Sequence, residues 1–87
     1  MKKAFLPNRT MQQKLLVVAT AHVAEELSLE QINLAWQQLR EKMKTPDPDN
    51  PNLWVVWIDG HKLWGILDEK AGPNGEDVFT ILFPEDY

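Results

Sequence analysis

The stretch from Leu53 to Leu67 constrains the fold more than any other part of the chain. Two apolar runs, rich in β-branched and aromatic residues, flank Asp59 and Gly60. Asp-Gly supplies the positive φ angles of a two-residue type I′ turn, so this stretch predicts a tight β-hairpin. The short loop also determines which residues pair across the hairpin, because loop length and turn type set the register.

Both faces of the predicted hairpin are apolar. Residues that pair across the two strands share a face, and successive residues alternate between faces. The first face holds Trp54, Val56, Ile58, His61, Leu63 and Leu67, and the second holds Leu53, Val55, Trp57, Lys62, Trp64 and Ile66. Gly65 is expected to leave room for the Trp54 ring on the first face. An antiparallel sheet with one solvated side alternates apolar and polar residues, so both faces are expected to need cover.

A first helix is predicted from about Met11 to Leu27. Thr10 and Gln13 have the spacing of a capping box, and apolar residues recur after them at three- and four-residue intervals. Residues 15–20 are ambiguous, because a short run of consecutive apolar residues is also typical of a buried strand. The capping box and the alanines favour the helix.

A second helix is predicted from Leu29 to about Lys44. Ser28 and Gln31 form another capping box at its start. Apolar residues then recur at three- and four-residue spacings in a single stripe, which consists of Leu29, Ile32, Trp36, Leu39 and Met43. Glutamate lies early in the segment and arginine and lysine lie late, which the helix dipole favours.

Three prolines within residues 46–51 end the second helix, because proline donates no backbone hydrogen bond and disfavours helical geometry before it. A loop with two strong turn signals follows the hairpin at residues 68–76, and a third strand is predicted at residues 77–83. If Val78 pairs with Ile66, then Phe79, Ile81 and Phe83 join the first face.

These elements predict one α+β domain, residues 1–87. It comprises an N-terminal arm (1–9), a helical half (10–44), a proline-rich connector (45–52) and a β half (53–87). The expected fold is a two-helix hairpin packed on one face of a three-stranded antiparallel β-meander. The first face is the richer in large apolar side chains, so the helices are expected to cover it.

Charge and composition narrow the classes of function. The chain has no cysteine, which excludes disulfides, thiolate catalysis and cysteine-ligated metals. Residues 1–44 carry seven Lys/Arg and four Glu, whereas residues 45–87 carry two Lys and nine Asp/Glu. An acidic β half argues against nucleic-acid binding, which needs a clustered basic patch. No apolar run approaches the roughly 20 residues that span a bilayer, and no signal peptide is evident, so a cytoplasmic protein without a membrane partner is expected.

No catalytic residue, cofactor or metal site is predicted. His22 and His61 lie in different elements and lack metal-ligand spacing.

Two alternatives remain open. The turn before Leu29, with the hairpin as a wing, loosely fits a winged-helix nucleic-acid-binding protein, although the second helix begins with Glu30 and Gln31 rather than basic residues. The carboxylate pairs at 68–69 and 76–77 would suit a small enzyme if burial separated their pKa values.

The leading prediction is a small acidic protein-interaction module, because two helices can cover only one face of the sheet. The partner would be another protein or a second copy of the chain, and an inhibitor, antitoxin or adaptor would fit the first case. The predicted interface residues lie on the second face and are Val55, Trp57, Lys62, Trp64 and Ile66. Alternatively, the N-terminal arm folds over Trp57 and Trp64 through Phe5 and Leu6.

Overall fold

The computed structural model describes residues 15–45 and 48–87. Along the chain these form β1 (Leu15–Ala19), α1 (Ala21–Glu26), α2 (Leu29–Lys42), β2 (Leu53–Ile58), β3 (His61–Asp68), β4 (Asp77–Leu82) and a 3₁₀ helix (Pro84–Asp86). The predicted N-terminal arm and the predicted capping box at Thr10 lie outside the described residues.

The four strands form one mixed sheet in the order β1-β4-β3-β2. β1 pairs with β4 in parallel, whereas the β4–β3 and β3–β2 pairs are antiparallel. The broad α+β class is confirmed. The predicted architecture, a two-helix hairpin on a three-stranded antiparallel meander, is wrong, because residues 15–19, which were expected to belong to the first helix, form the fourth strand.

The strand β1 replaces the first half of the predicted first helix. Its five residues are all apolar, and they pair with β4 from Leu15↔Asp77 to Ala19↔Ile81. This pairing satisfies backbone groups that a helix would have satisfied locally. Thr20 then has extended geometry (φ −67°, ψ 160°) and its hydroxyl accepts from the Val23 N–H at 3.3 Å, so α1 begins at Ala21 and spans only six residues.

The hairpin is confirmed. β2 and β3 pair in the predicted register, from Leu53↔Ile66 to Ile58↔His61. The turn residues both have positive φ angles, with Asp59 at 50° and Gly60 at 84°. Local sequence therefore suffices to specify this element, because the Asp-Gly turn and the flanking β-branched residues agree.

The second helix is also confirmed, and it ends two residues earlier than expected. The Gln31 N–H donates to the Ser28 hydroxyl at 3.2 Å, and the Ser28 N–H donates to the Gln31 side-chain oxygen at 2.8 Å. This reciprocal capping box starts α2 at Leu29. The buried stripe is rotated from the predicted one, since Ala35 and Leu39 are fully buried while Leu29 is 75% exposed.

The pairing of β3 with β4 differs by two residues from the prediction. Ile66 pairs with Thr80, and Val78 pairs with Asp68. Because side chains alternate with a period of two, this shift leaves every residue on the predicted face. Phe79 and Ile81 therefore lie on the first face as expected.

The core lies between the first face and the two helices. Its buried members are Val23, Leu27, Ala35, Leu39, Trp54, Val56, Ile58, Leu63, Phe79, Ile81 and Phe83. Aromatic rings pack at its centre, with the Phe79 centroid 5.3 Å from that of Trp36 and 6.0 Å from that of Trp54. The expectation that the helices cover the first face is confirmed.

Gly65 makes space for a different ring from the one expected. A Cβ atom at this position would lie 2.9 Å from Leu39 Cδ2 and closer still to the Phe79 ring. The neighbour that requires glycine is therefore Phe79 on β4, together with α2, rather than Trp54. The missing side chain lets the Phe79 ring and α2 approach the sheet at one point.

We expect Gly65→Ala to lower the free energy of unfolding by about 1–3 kcal/mol, because the added methyl overpacks the contact with Phe79 and Leu39. Chemical denaturation measures the change. The control is the double variant Gly65→Ala, Phe79→Leu, which removes the ring edge that the methyl meets. The double variant should lose less free energy of unfolding than the sum of the losses in the two single variants. A Gly65→Ala protein as stable as the parent would contradict this packing.

Candidate functional site

No helix of residues 15–45 and 48–87 covers the second face of the sheet, since α1 and α2 both pack on the first. We call this second face the open face. Its members come from all four strands and are Leu16 and Val18 (β1), Leu53, Val55 and Trp57 (β2), Lys62, Trp64, Ile66 and Asp68 (β3), and Val78, Thr80 and Leu82 (β4). Nine of these twelve residues are apolar, so the open face has the composition of an interior rather than of a solvated surface.

The structure brings the five predicted interface residues together on the open face. Trp57 is 61% exposed and Lys62 is exposed, while Val55, Trp64 and Ile66 are half-buried. An exposed tryptophan beside three partly exposed apolar side chains forms a continuous patch.

The contribution of β1 to the open face was not predicted from the sequence. Val18 lies beside Thr80 and is exposed, and Leu16 lies beside Val78 and is half-buried. The signal that would have found them is the consecutive apolar run at residues 15–19, which suits a strand with both sides apolar.

Charged residues mark the two ends of β3 on the open face. Lys62 begins the row, with its Nζ 6.0 Å from the centroid of the Trp57 ring, a cation–π distance. Asp68 ends the row and is exposed. Trp64 and Ile66 lie between them. The two charges are six residue steps apart along the strand, a distance of about 20 Å.

Residues after β4 add a further aromatic ring to the open face. The Tyr87 ring lies edge-on to Trp64, with 5.7 Å between centroids, and Tyr87 remains 82% exposed. The 3₁₀ helix contacts β3, and Leu82 is only 5% exposed although it belongs to the open face. These contacts link distant parts of the chain, so no local pattern predicts them.

An ion pair anchors the 3₁₀ helix to α1. His22 Nδ1 lies 2.8 Å from Asp86 Oδ2, and the His22 ring packs against Phe83 with centroids 4.6 Å apart. The hydrogen bond with the Asp86 carboxylate raises the pKa of His22 above its ordinary value of 6.5, because it stabilises the charged imidazolium. The pairing of His22 with Asp86 was not predicted from the sequence.

A surface groove of about 350 Å³ lies beside this pair. It is lined by His22, Glu26, Gly60, His61, Lys62, Phe83, Pro84 and Glu85. The structure thus brings both histidines of the chain to one groove. Within residues 15–45 and 48–87, however, no three His, Asp or Glu side chains are grouped closely enough to hold a metal ion.

A second groove, of about 430 Å³, lies between the end of α2 and β2. It is lined by Lys42, Thr45, Asn50, Leu53, Trp54 and Val55. The Trp54 indole N–H is buried and has no hydrogen-bond partner among the residues that the structure describes. Because that N–H is inaccessible, it offers no donor to a molecule in the groove.

Three of the residues behind the two alternative functions, Gln31, Glu76 and Asp77, make hydrogen bonds within the fold. Gln31 Nε2 donates to Asp59 Oδ2 at 2.9 Å, which ties the start of α2 to the hairpin turn. In the loop before β4, Asp77 Oδ1 accepts from the Lys70 N–H at 3.0 Å and Glu76 Oε1 accepts from the Asn74 N–H at 2.8 Å. The two loop carboxylates therefore order the loop backbone.

Comparison with protein-family models, with curated proteins and with solved structures gave no match to this chain. In the described part of the chain, no helix combines the length and the apolar character needed to cross a membrane.

We expect Asp86→Asn to lower the pKa of His22 towards its ordinary value, because the variant removes the carboxylate that stabilises the imidazolium. Titration of the His22 ring protons by NMR measures the change. Glu85→Gln is the matched control: it removes a neighbouring charge but not the hydrogen bond, so its effect should be smaller. An unchanged His22 pKa in Asp86→Asn would contradict the pairing.

The sign of the pH dependence follows from the raised pKa. A group with a raised pKa in the folded state stabilises the fold fully below its unfolded pKa, and loses that contribution as the pH rises through the folded value. The stability difference between the parent and Asp86→Asn should therefore be largest at and just below pH 6.5, the unfolded pKa of His22. It should shrink as the pH rises through the folded pKa of His22.

Proposed function

We propose that this chain is a protein-interaction module that binds its partner through the open face. The observation that carries the proposal is the exposure of Trp57 on a sheet face that no helix in the described part of the chain covers. On the same face, Val55 and Trp64 are its partly exposed apolar neighbours, and Ile66 follows Trp64 along β3. Leaving such a group in water forfeits the hydrophobic stabilisation that a partner surface would supply.

The size of the open face supports the proposal. Four strands spaced about 4.8 Å apart and about 20 Å long give it a footprint of about 400 Å². The largest apolar patches on monomeric proteins cover about 300–600 Å², and such patches are often binding sites. The footprint of the open face is therefore comparable in size with such patches.

The residue types on the open face also support the proposal. Trp57, Trp64 and Tyr87 are large aromatic side chains, and tryptophan and tyrosine are enriched among the residues that contribute most to binding. Lys62 lies beside the Trp57 ring and supplies a charged rim. Aromatic residues bordered by a charged rim are typical of a protein interface.

The distribution of charge favours a protein over a nucleic acid as the partner. The half of the chain that contains β2, β3 and β4 carries two Lys and nine Asp/Glu. Phosphate binding requires several clustered lysines or arginines, and Lys62 is the only basic residue among the twelve of the open face.

Site-specific photo-crosslinking tests the proposal. A benzoylphenylalanine placed at position 57 preserves an aromatic group there, and the same residue at position 34 is the matched control. Leu34 is 45% exposed on α2, away from the open face. In cells of the source organism, we expect position 57 to give an adduct of one defined mass that is lost when Trp64 and Ile66 are changed to Ser. Position 34 should not give it.

Indiscriminate labelling from both positions, or no adduct from position 57, would contradict the proposal. A second readout uses Trp57→Ser, with Leu34→Ser as its control. Both side chains are exposed, so both variants should remain folded by circular dichroism. Only Trp57→Ser should abolish formation of the adduct from a photo-crosslinker at position 55.

A further inference from the structure

We propose that the partner is a second copy of this chain, bound open face to open face with its β3 antiparallel to β3 of the first copy. This inference rests on the proposed function, since it uses the same surface. It goes further because it names the partner and the orientation in which that partner binds.

The charge pattern along β3 carries the inference. On the open face, β3 presents a cation at Lys62, apolar side chains at Trp64 and Ile66, and an anion at Asp68. The midpoint of this row lies between Trp64 and Ile66, and the charges at equal distances on its two sides are opposite. A two-fold axis through that midpoint, in the plane of the interface and perpendicular to β3, places Lys62 of each copy against Asp68 of the other.

The opposite orientation is unfavourable. A two-fold axis parallel to β3 would place Lys62 against Lys62 and Asp68 against Asp68, and like charges in contact across an interface disfavour binding. The antiparallel orientation replaces these two repulsions with two ion pairs. The distribution of charge therefore selects one of the two symmetric face-to-face arrangements.

Apolar residues meet apolar residues in the antiparallel orientation. On β3, Trp64 lies opposite Ile66 of the second copy, and on β2, Val55 lies opposite Leu53 of the second copy. The exposed Tyr87 ring stands over Trp64, so the two copies of Tyr87 approach each other near the axis. The centre of the interface is thus aromatic and aliphatic, and its charges lie at the rim.

The geometry of stacked sheets allows the two ion pairs to form. Stacked sheets lie about 10 Å apart, and aligned sheets cross at about 30°. Lys62 and Asp68 each lie about 10 Å from the axis, so this crossing displaces the paired ends by about 5 Å. The flexible four-carbon stem of the Lys62 side chain is long enough to bridge this displacement.

The area of the open face sets the expected strength. A footprint of about 400 Å² on each copy lies below the roughly 800 Å² of accessible surface that each partner buries in a standard interface. The dimer is therefore expected to dissociate in the micromolar range, from about 1 µM to about 100 µM. Sedimentation velocity of the full chain across that range measures the dissociation constant.

Charge reversal tests the orientation. Lys62→Glu and Asp68→Lys should each weaken self-association by about tenfold, because each variant turns both ion pairs into repulsions. The effect should diminish at high salt, which screens exposed charges. An equimolar mixture of the two single variants should associate about as strongly as the parent, since the heterodimer regains an attractive pair at both ends. Glu30→Lys on α2 is the matched control and should leave self-association unchanged.

Chemical crosslinking tests the geometry independently of charge. The chain has no cysteine, so an introduced thiol is unique. A bis-maleimide spanning about 10 Å, the usual distance between stacked sheets, should join Lys62→Cys to Asp68→Cys in a mixture of the two proteins. It should not join two copies of the same variant, whose thiols would lie about 20 Å apart across the axis.

Two outcomes would overturn the inference. A chain that stays monomeric above about 100 µM has no such dimer. A dimer that crosslinks position 62 to position 62 has the other orientation. The proposed function fails separately: a monomeric chain that still gives a defined adduct with another protein from position 57 retains that function, whereas a chain that forms neither adduct nor dimer does not.

Discussion

The contact between Phe79 and Gly65 is the interaction on which the rest of the structure depends. The Phe79 ring extends over the neighbouring strand at the one residue without a side chain, and Leu39 of α2 closes over the same point. Rings of Trp36 and Trp54 pack around Phe79. This cluster joins β2, β3, β4 and α2, so it fixes both the position of the helix and the side of the sheet that the helix covers.

Covering one side leaves the other side open. Of the described residues, 29–42 form a long α-helix and 21–26 a short one, and both pack on the first face. The strands nevertheless carry large apolar side chains on both sides, so the open face has a core-like composition without a core-like environment. That mismatch underlies the proposed function. If the open face were simply exposed to water, its strands would be expected to alternate apolar residues on the first face with polar residues on the open face.

Residues after β4 connect the two sides of the sheet. Phe83 is buried on the first face beside His22, Asp86 pairs with His22, and Tyr87 lies against Trp64 on the open face. A short segment therefore links α1 to the centre of the proposed interface. The same segment adds the Tyr87 ring to the open face, whose strand residues are already mostly apolar. Tyrosine is one of the residue types enriched at binding hot spots.

Elements determined by neighbouring residues could be predicted from the sequence by itself. The Asp59-Gly60 hairpin with its register, the capping box at Ser28 and the five predicted residues on one face all follow from local turn chemistry and side-chain alternation. The tertiary structure alone decided that residues 15–19 form a strand, because the edge of β4 supplies hydrogen-bond partners about 60 residues away in sequence. It also decided the two-residue shift between β3 and β4 and the contact of Tyr87 with Trp64, since no tight turn fixes the first and no periodicity encodes the second.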